Sequence, residues 1–342
     1  MQENPQPEDL GTDELTQPTG NSFKSQASKW LSILLPILLG VYLIIYTYQS
    51  FTPEQIESIK GYFKNADYLY IVIAAIIAIF GNALRAYRWK YALEHMGYTS
   101  TFPNNFMAVN IGYLLNLTVP KSGEISRAVI VKKYNGIPFD KGFGSIVAER
   151  IVDMIILSLF MLLAFFLQFD IVKAFILDKI PVNKLVILAI SGVFGFTALL
   201  LVYMYSKSPL ILKLKKQVSG LKEGFFSLIH MKDKWKYFFQ TVLIWGSYIL
   251  TFYVTIFTLT ETTHLSIDAV ITSFVVGSIA IAFTNSGFGS YPFLITQILS
   301  FYAISKEVGT AFGWIVWTSQ MLVVLVMGVL SFLLLPVFNR RK

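Results

Sequence analysis

The sequence predicts an all-α, polytopic membrane protein, and three observations lead to this fold class. The chain of 342 residues is 55% hydrophobic and only 14% charged, with a mean hydropathy of +0.60, whereas soluble domains carry about 25% charged residues. Several apolar segments approach the roughly 20 residues that a helix needs to cross a bilayer. Two further apolar segments are shorter and are interrupted by Gly, Pro and polar residues. We therefore predict about six full spans and two re-entrant helical hairpins.

The composition also narrows the function classes. The chain has no Cys, and its three His are far apart in the sequence, so we expect no disulfide, thiol chemistry, metal site or cofactor. The net charge of +8 fits the Lys and Arg excess of cytoplasmic loops in membrane proteins, and no nucleic-acid partner is expected. Residues 1–28 are polar, with Pro, Gly and acidic residues but no apolar periodicity. They are predicted to form a disordered tail rather than a signal peptide.

Residues 29–338 are predicted to form a single transmembrane domain. In chain order, its full spans are expected at 30–48, 68–87, 148–169, 185–205, 238–259 and 312–338. Tyr and Trp cluster near several of their ends, as side chains at the membrane–water interface do.

The distribution of Lys and Arg gives the orientation. Segment 85–150 contains nine basic residues and segment 206–236 contains eight, whereas segment 260–267 contains none. Because basic loops stay on the cytoplasmic side, the first two segments and both termini are predicted to be cytoplasmic. The localisation expected from this pattern is the cell (cytoplasmic) membrane.

Two interrupted apolar segments are predicted to form helical hairpins. Residues 104–119 are too short to span the bilayer and end at a Pro-Lys-Ser-Gly break, and a non-helical backbone at membrane depth must be buried in protein or line a cavity. Segment 268–311 consists of two short apolar pieces, 269–283 and 293–304, separated by a Gly-rich break. The second hairpin must return to the outer face if the basic C-terminus is to be cytoplasmic.

The two halves, about 29–170 and 184–338, then share one order of elements. Each contains two spans, a hairpin and a span, and the halves run in opposite senses through the membrane. This is the inverted repeat of many transporters, in which broken helices form a site near the midplane. The breaks VPKSGEISR (119–127) and FTNSGFGSY (283–291) share a Ser-Gly pair and a later Ser.

Segment 206–236 contains apolar residues at helical spacing with lysines between them. Two interpretations are open. The segment is either a basic amphipathic helix on the anionic inner leaflet or a connector packed on the cytoplasmic ends of the spans.

The first hairpin and the start of the third span carry the candidate site. Arg127 and Arg150 suit a lipid phosphate because guanidinium donates in a planar, bidentate fashion. The break is expected to add main-chain N–H groups near a helix terminus. The acidic residues would hold the arginines apart in the empty site. Further candidates around this break and the following span are Lys121, Gly123, Glu124, Glu149 and Asp153.

A structural interpretation competes with this one. The acids and arginines can form a buried ion network that only fixes the hairpin. Glu149 and Asp153 are four residues apart on one helix face, so they repel each other unless a basic side chain lies between them. Arg85 and Arg88 close the second span, where such residues either anchor at the interface or contact substrate. Asn285, Ser286 and Gly287 are candidates at the second break.

These residues resemble the flippase-like family, the lysylphosphatidylglycerol synthase transmembrane region, over about residues 30–336. The resemblance is carried by Arg85-x-x-Arg88-Trp89, Asn116, Pro120-x-x-Gly123-Glu124 with Arg127, Glu149-Arg150-x-x-Asp153 and Gly287-Phe288-Gly289. Bifunctional relatives fuse this region to a soluble aminoacyl-transfer domain. Since this chain ends at Lys342, the resemblance implies the translocating part only. Thr284 and Pro292 stand where many relatives have Pro and Glu, which leaves an acidic role in the second hairpin unsupported.

The function predicted from these features is lipid translocation rather than catalysis. The expected substrate is an anionic phospholipid or a polyprenyl-phosphate lipid. The sequence contains no P-loop, so transport would follow a gradient. Two alternatives stay open. One is an intramembrane enzyme that modifies lipid head groups with these acids, and the other is an accessory subunit of a separate lipid-modifying enzyme.

Overall fold

A computed structural model describes residues 22–169, 182–209, 211–212, 215, 230–284 and 286–340. Within these residues the regular structure consists of eleven α-helices and two single-turn 3-10 helices, which confirms the all-α fold class. The helices are α1 Ser22–Gln49, α2 Pro53–Asn65, α3 Tyr68–His95, α4 Phe102–Thr118, α5 Ser122–Asn135, α6 Phe139–Leu167, α7 Val182–Tyr205, α8 Lys234–Thr255, α9 Ile267–Phe283, α10 Ser290–Ser300 and α11 Lys306–Phe338.

Four of the described helices are long and apolar enough to cross a bilayer by themselves, namely α3, α6, α8 and α11. Residues Leu34–Gln49 of α1 and helix α2 also meet this test together, although they are bent by 113° at a short break. Helix α7 covers 24 residues at the position of the predicted span 185–205. Together these helices make the chain a multi-pass membrane protein.

Two boundaries differ from the sequence prediction. Helix α1 begins at Ser22, so residues 22–28, which were predicted as part of a disordered tail, are helical. They contain neither Pro nor Gly and run directly into the apolar span, so nothing stops the helix there. Helix α2 was not predicted. It starts with a capping box in which Thr52 and Gln55 exchange hydrogen bonds, and this motif is the sequence signal of a helix start.

The two predicted helical hairpins are present. The first hairpin consists of α4 and α5, which are joined at a break where Lys121 has a φ of 65°. The second hairpin consists of α9 and α10, and the described part of its break contains Ser286 with a φ of 56° and Gly287 with a φ of 77°. Their depth in the bilayer, and hence their re-entrant character, stays a prediction.

Helix packing relates the two halves. Helices α3 and α8, which precede the first and second hairpin, pack along each other. Helix α4 of the first hairpin packs on α11, and α9 of the second hairpin packs on α6. The first arm of each hairpin therefore contacts the span that follows the other hairpin. This exchanged contact is consistent with a two-fold relation between the halves, and the inverted repeat itself stays a prediction.

The outer surfaces of the spans are apolar. Large side chains such as Met154 and Phe166 on α6 and Leu333 on α11 are well exposed, as expected for residues that contact lipid rather than water. The predicted amphipathic helix of segment 206–236 lies mostly outside the described residues, so its contact with the inner leaflet stays a prediction.

Candidate functional site

Three arginines and two acids converge where α3, α5 and α6 meet. We call them the charge cluster: Arg85, Arg88, Arg127, Glu149 and Asp153. Each of the five residues is at most 8% exposed. Isolated charges are expensive in such an environment and are retained when they are paired or functional.

Glu149 is the centre of the charge cluster. Its Oε1 accepts from Nη1 of Arg85 at 2.5 Å, and its Oε2 accepts from Nη2 of Arg127 at 2.9 Å. Nη2 of Arg88 lies 3.4 Å from Oε1. One carboxylate thus contacts all three guanidinium groups, which are carried by α3 and α5.

Asp153 lies one turn further along α6 and shares two of these arginines. Its Oδ2 accepts from Nη2 of Arg85 at 2.8 Å, and its Oδ1 accepts from Nη2 of Arg88 at 3.2 Å. The Arg85 guanidinium therefore bridges Glu149 and Asp153. This arrangement supplies the basic group that two acids four residues apart on one helix face require.

Arg85 and Arg88 are buried inside the bundle, at 3% and 0% exposure. The interpretation in which they anchor the second span at the interface is therefore wrong. Interfacial anchors extend their charged ends toward water, whereas the ends of these side chains meet Glu149 and Asp153.

Helix α8 completes the cluster and was missed from the sequence. Thr241 Oγ1 accepts from Nη1 of Arg88 at 2.9 Å, and the Tyr248 hydroxyl accepts from Nε of Arg85 at 3.2 Å. The Tyr237 ring lies 5.1 Å from the Arg88 guanidinium carbon, a cation–π geometry. Tyr237, Thr241 and Tyr248 lie on one face of α8. A stripe of polar side chains along an otherwise apolar span was therefore the sequence signal that could have identified them.

Trp89 provides a second aromatic contact. The guanidinium carbon of Arg127 lies 4.3 Å from its ring centroid, and the indole N–H donates to Ser145 Oγ at 2.9 Å. The aliphatic part of the Arg127 side chain packs against Gly112. A Cβ added to Gly112 would lie 3.2 Å from Cγ of Arg127. Gly112 therefore leaves the space that this arginine occupies.

Arg150 and Glu124 form the open edge of the site. Arg150 Nε lies 3.2 Å from Glu124 Oε1, and the two side chains are 34% and 20% exposed. Nη1 of Arg150 lies 3.8 Å from Asp153 Oδ2, which links this pair to the charge cluster. Lys121, at the break just before α5, is exposed.

Two of the main-chain donors expected at the first break already have partners. The N–H of Gly123 donates to Oδ1 of Asn116 at 2.7 Å, and the N–H of Ser122 donates to the carbonyl of Val119 at 3.1 Å. The expectation that these groups are available to an anion is therefore wrong for Ser122 and Gly123. The formal positive charge of this site is carried by side chains.

The second break has different partners. The Ser286 carbonyl accepts from the indole N–H of Trp317 on α11 at 2.9 Å. Gly287 packs against Ile281 and Trp317, and Gly289 lies against the backbone of Gly40 on α1. The contacts described for Ser286 and Gly287 thus run to other helices than those of the charge cluster, and Asn285 lies outside the described residues.

The axial position of the charge cluster follows from the helical rise. Arg85 lies about 25 Å along α3 from Tyr68, and Asp153 lies about 21 Å along α6 from Leu167, at 1.5 Å per residue. These two helix ends belong to the same predicted side of the membrane. Asp153 is therefore the middle residue of α6, whereas Arg85 lies closer to the His95 end of α3 than to Tyr68. The depth of the charge cluster in the bilayer stays a prediction.

Comparison with known proteins defines the family. The family model described as the lysylphosphatidylglycerol synthase transmembrane region matches residues 33–339. The chain belongs to this family. The matched range contains the charge cluster, both hairpins and every described span.

Curated relatives are also membrane proteins of this kind. A UPF0104 membrane protein of Methanocaldococcus jannaschii is 27% identical over 153 residues, which cover 44% of this chain and 43% of that protein. A second UPF0104 membrane protein, from Pyrococcus horikoshii, is 26% identical over 251 residues, covering 66% of this chain and 72% of the relative.

A third relative carries a named activity. The glycosyltransferase AglD of Haloferax volcanii is 26% identical over 136 residues, which cover 40% of this chain and 21% of that protein. The match therefore spans less than half of the length of the Methanocaldococcus and Haloferax relatives. No solved structure matches this member of the lysylphosphatidylglycerol synthase transmembrane family.

Proposed function

We propose that this protein translocates a lipid with an anionic head group across the cell membrane. The observation that carries the proposal is the charge balance of the charge cluster. Three guanidinium groups face two carboxylates, which leaves one positive charge in excess. The Arg150–Glu124 pair at its edge adds one charge of each sign and does not change this balance.

An uncompensated charge in a buried site favours an anionic ligand. Leaving a buried charge without a partner costs several kcal/mol, so a third anion would relieve a penalty that the empty protein bears. Phosphate suits this role because arginine donates to it in a bidentate geometry. Within the described residues, Arg150 is the arginine of this region with a substantially exposed side chain, and it is the natural first contact.

The fold supports transport rather than static binding. Two interrupted helical hairpins and exchanged contacts between the halves match the general plan of transporters built from inverted repeats. In this plan one half moves against the other around a central site. The sequence contains no P-loop, so we propose that a gradient or mass action drives the movement.

Transport can be measured in liposomes that contain the purified protein and a trace of head-group-labelled phosphatidylglycerol. An impermeant reductant destroys the label in the outer leaflet, and further loss reports movement from the inner leaflet. We expect rapid loss for labelled phosphatidylglycerol and slow loss for labelled phosphatidylcholine. The proposal fails if the protein does not accelerate phosphatidylglycerol movement beyond that in protein-free liposomes.

Matched variants locate the activity. Arg150→Gln removes the exposed charge of the site, whereas Lys60→Gln removes an exposed basic side chain of α2 that pairs with Glu57. We expect the first variant to slow phosphatidylglycerol movement and the second to leave it unchanged. Equal effects of both substitutions would assign the activity to overall charge rather than to this site.

A second candidate function is participation in lipid-linked glycosyl transfer. It is favoured by the similarity to the glycosyltransferase AglD, and it covers both a head-group-modifying enzyme and an accessory subunit. Incubating the purified protein with labelled sugar nucleotides and polyprenyl phosphate separates these cases. Product from the purified protein supports an enzyme. Product that appears only after a co-purified partner is added supports an accessory subunit.

A further inference from the structure

We infer that an anionic lipid reaches the charge cluster sideways from the bilayer, between α5 and α6, and that its phosphate takes the place of Glu124 on Arg150. This inference rests on the proposed function and adds a route and a displaced group to it. The observation behind it is the position of the partly exposed Arg150–Glu124 ion pair. This pair lies between lipid-facing apolar side chains and the buried charge cluster, which has excess positive charge.

The surroundings of the Arg150–Glu124 pair are apolar and exposed. Met154 is 68% exposed and lies one turn beyond Arg150 on the same face of α6, since residues four apart are neighbours on a helix surface. On α5, Ile125 and Val129 are about half exposed. Such side chains contact acyl chains, so a lipid can keep its tails in the bilayer while its head group meets Arg150.

The Arg150–Glu124 pair is the ion pair of this region that is easiest to open. The three arginine side chains that contact Glu149 are at most 4% exposed, whereas Arg150 and Glu124 contact each other at 34% and 20% exposure. Partly exposed pairs contribute little net stability because solvent screens them. If a phosphate replaces the Glu124 carboxylate, Arg150 still has an anionic partner, so the exchange leaves no unpaired charge on the arginine.

The level of Arg150 indicates which leaflet supplies the lipid. Arg150 lies about 16 Å along α6 from Phe139, and about 25 Å separate it from Leu167, at 1.5 Å per residue. The exposed apolar residues of α6 from Met154 onward lie on the Leu167 side. Arg150 is therefore at one end of the lipid-facing surface, on the side of segment 96–138. The distribution of Lys and Arg predicts this side to be cytoplasmic, so the inner leaflet supplies the lipid.

Photo-crosslinking can test this route, because the chain contains no Cys and a single introduced thiol is labelled selectively. Met154→Cys is labelled with a benzophenone maleimide, placed in nanodiscs of equal phosphatidylglycerol and phosphatidylcholine, and irradiated. Mass spectrometry then gives the ratio of the two lipids in the adduct. Leu322→Cys on α11, which is similarly exposed at 60%, is the matched control and should report the bulk composition.

We expect the ratio of phosphatidylglycerol to phosphatidylcholine in the adduct at residue 154 to be about five times that at residue 322. This factor corresponds to a screened ion pair of about 1 kcal/mol. Adding Arg150→Gln should abolish the enrichment. Adding Glu124→Gln should increase it, because the competing carboxylate is removed. Equal ratios at the two positions, or an enrichment that survives Arg150→Gln, would overturn the inference. The comparison of residues 154 and 322 stands even where a double variant does not fold.

The outcome also separates the route from the proposed function. Enrichment at residue 154 without phosphatidylglycerol movement in liposomes supports the route and overturns translocation. Movement of phosphatidylglycerol without enrichment at residue 154 supports translocation and overturns the route.

Discussion

The side-chain carbonyl of Asn116 accepts the main-chain N–H of Gly123, with 2.7 Å between Oδ1 and N. This bond ties the end of α4 to the start of α5 across the break of the first hairpin. It also brings Gly123 so close to Gly112 that the two backbones are in contact. The arms of the hairpin can approach this closely because both positions lack a side chain.

Gly123→Ala should destabilise the protein. A Cβ at this position would lie 2.7 Å from Asn116 Nδ2 and closer still to the Gly112 carbonyl, and overpacking of this kind costs about 1–3 kcal/mol. Gly144→Ala on α6 is the control, because an added Cβ there meets nothing within 4 Å. Thermal unfolding in detergent measures both variants. An unchanged midpoint for Gly123→Ala would show that the arms can separate at no cost.

Glu149→Gln should be one of the most destabilising single substitutions in the charge cluster. Glu149 contacts three buried guanidinium groups, and removing one partner of a buried ion pair costs about 3–5 kcal/mol. The double variant Glu149→Gln with Arg127→Gln should lose less stability than the sum of the two single variants, because it removes one unpaired charge. Additive losses in the unfolding free energies would indicate that the two side chains do not interact.

Arg150 and Arg127 should separate transport from stability. Arg150→Gln breaks a partly exposed pair and should change the free energy of unfolding by no more than about 1 kcal/mol. Its effect on phosphatidylglycerol movement should be larger, about tenfold, the loss expected for a charge-assisted hydrogen bond to phosphate. Arg127→Gln should lower both stability and transport, since Arg127 is buried against Glu149 and Trp89. Normal transport by a folded Arg150→Gln protein would contradict the assigned role.

Gly289→Ala should loosen the contact between α1 and the second hairpin. Gly289 has a φ of 68°, and an added Cβ would lie 2.8 Å from Cα of Gly40. Gly97→Ala is the matched control, because Gly97 also has a positive φ but an added Cβ there has open space. Both variants carry the strain of a positive φ, so a lower thermal midpoint for Gly289→Ala measures the helix contact. Equal midpoints would show that this contact contributes nothing.

The two hairpins should each begin and end on one side of the membrane. Single-cysteine variants at exposed positions before and after each hairpin test this: Thr99→Cys and Lys133→Cys for the first, His264→Cys and Lys306→Cys for the second. An impermeant maleimide applied to intact cells should label residues 264 and 306 but not residues 99 and 133. Opposite labelling within either pair would show that the segment crosses the bilayer.

Much of the fold could be predicted because the bilayer imposes a length rule on apolar segments. The spans at 68–87 and 312–338 fall within α3 and α11, and those at 148–169 and 238–259 overlap α6 and α8, which end at Leu167 and Thr255. Both hairpins were predicted from breaks rich in Gly and polar residues. Helix α2 was missed because its 13 residues are too polar to stand out beside the spans. Residues 22–28 were predicted as part of the disordered tail because they are polar. They contain no Pro or Gly, however, so the helix of the first span continues through them.

The site was predictable in its members but not in its geometry. Arg127, Glu149 and Asp153 were identified because charges are rare in apolar segments. The sequence did not show that Arg85 turns inward and bridges the two acids, because an arginine at the end of a span has the same local pattern whether it faces water or protein. The contributions of Thr241 and Tyr248 depend on the packing of α8 against α3, and this contact joins distant parts of the chain.

Helix α11 contacts both hairpins along its length. About a third of the way along it Trp317 donates to the second break, and about 16 Å further on, at 1.5 Å per residue, Gly328 fits against Leu114 of the first hairpin. One helix therefore contacts both hairpins, one from each half of the chain. Because both hairpins pack on this one helix, a change in its tilt would alter both contacts at once, and this shared support couples the two halves mechanically.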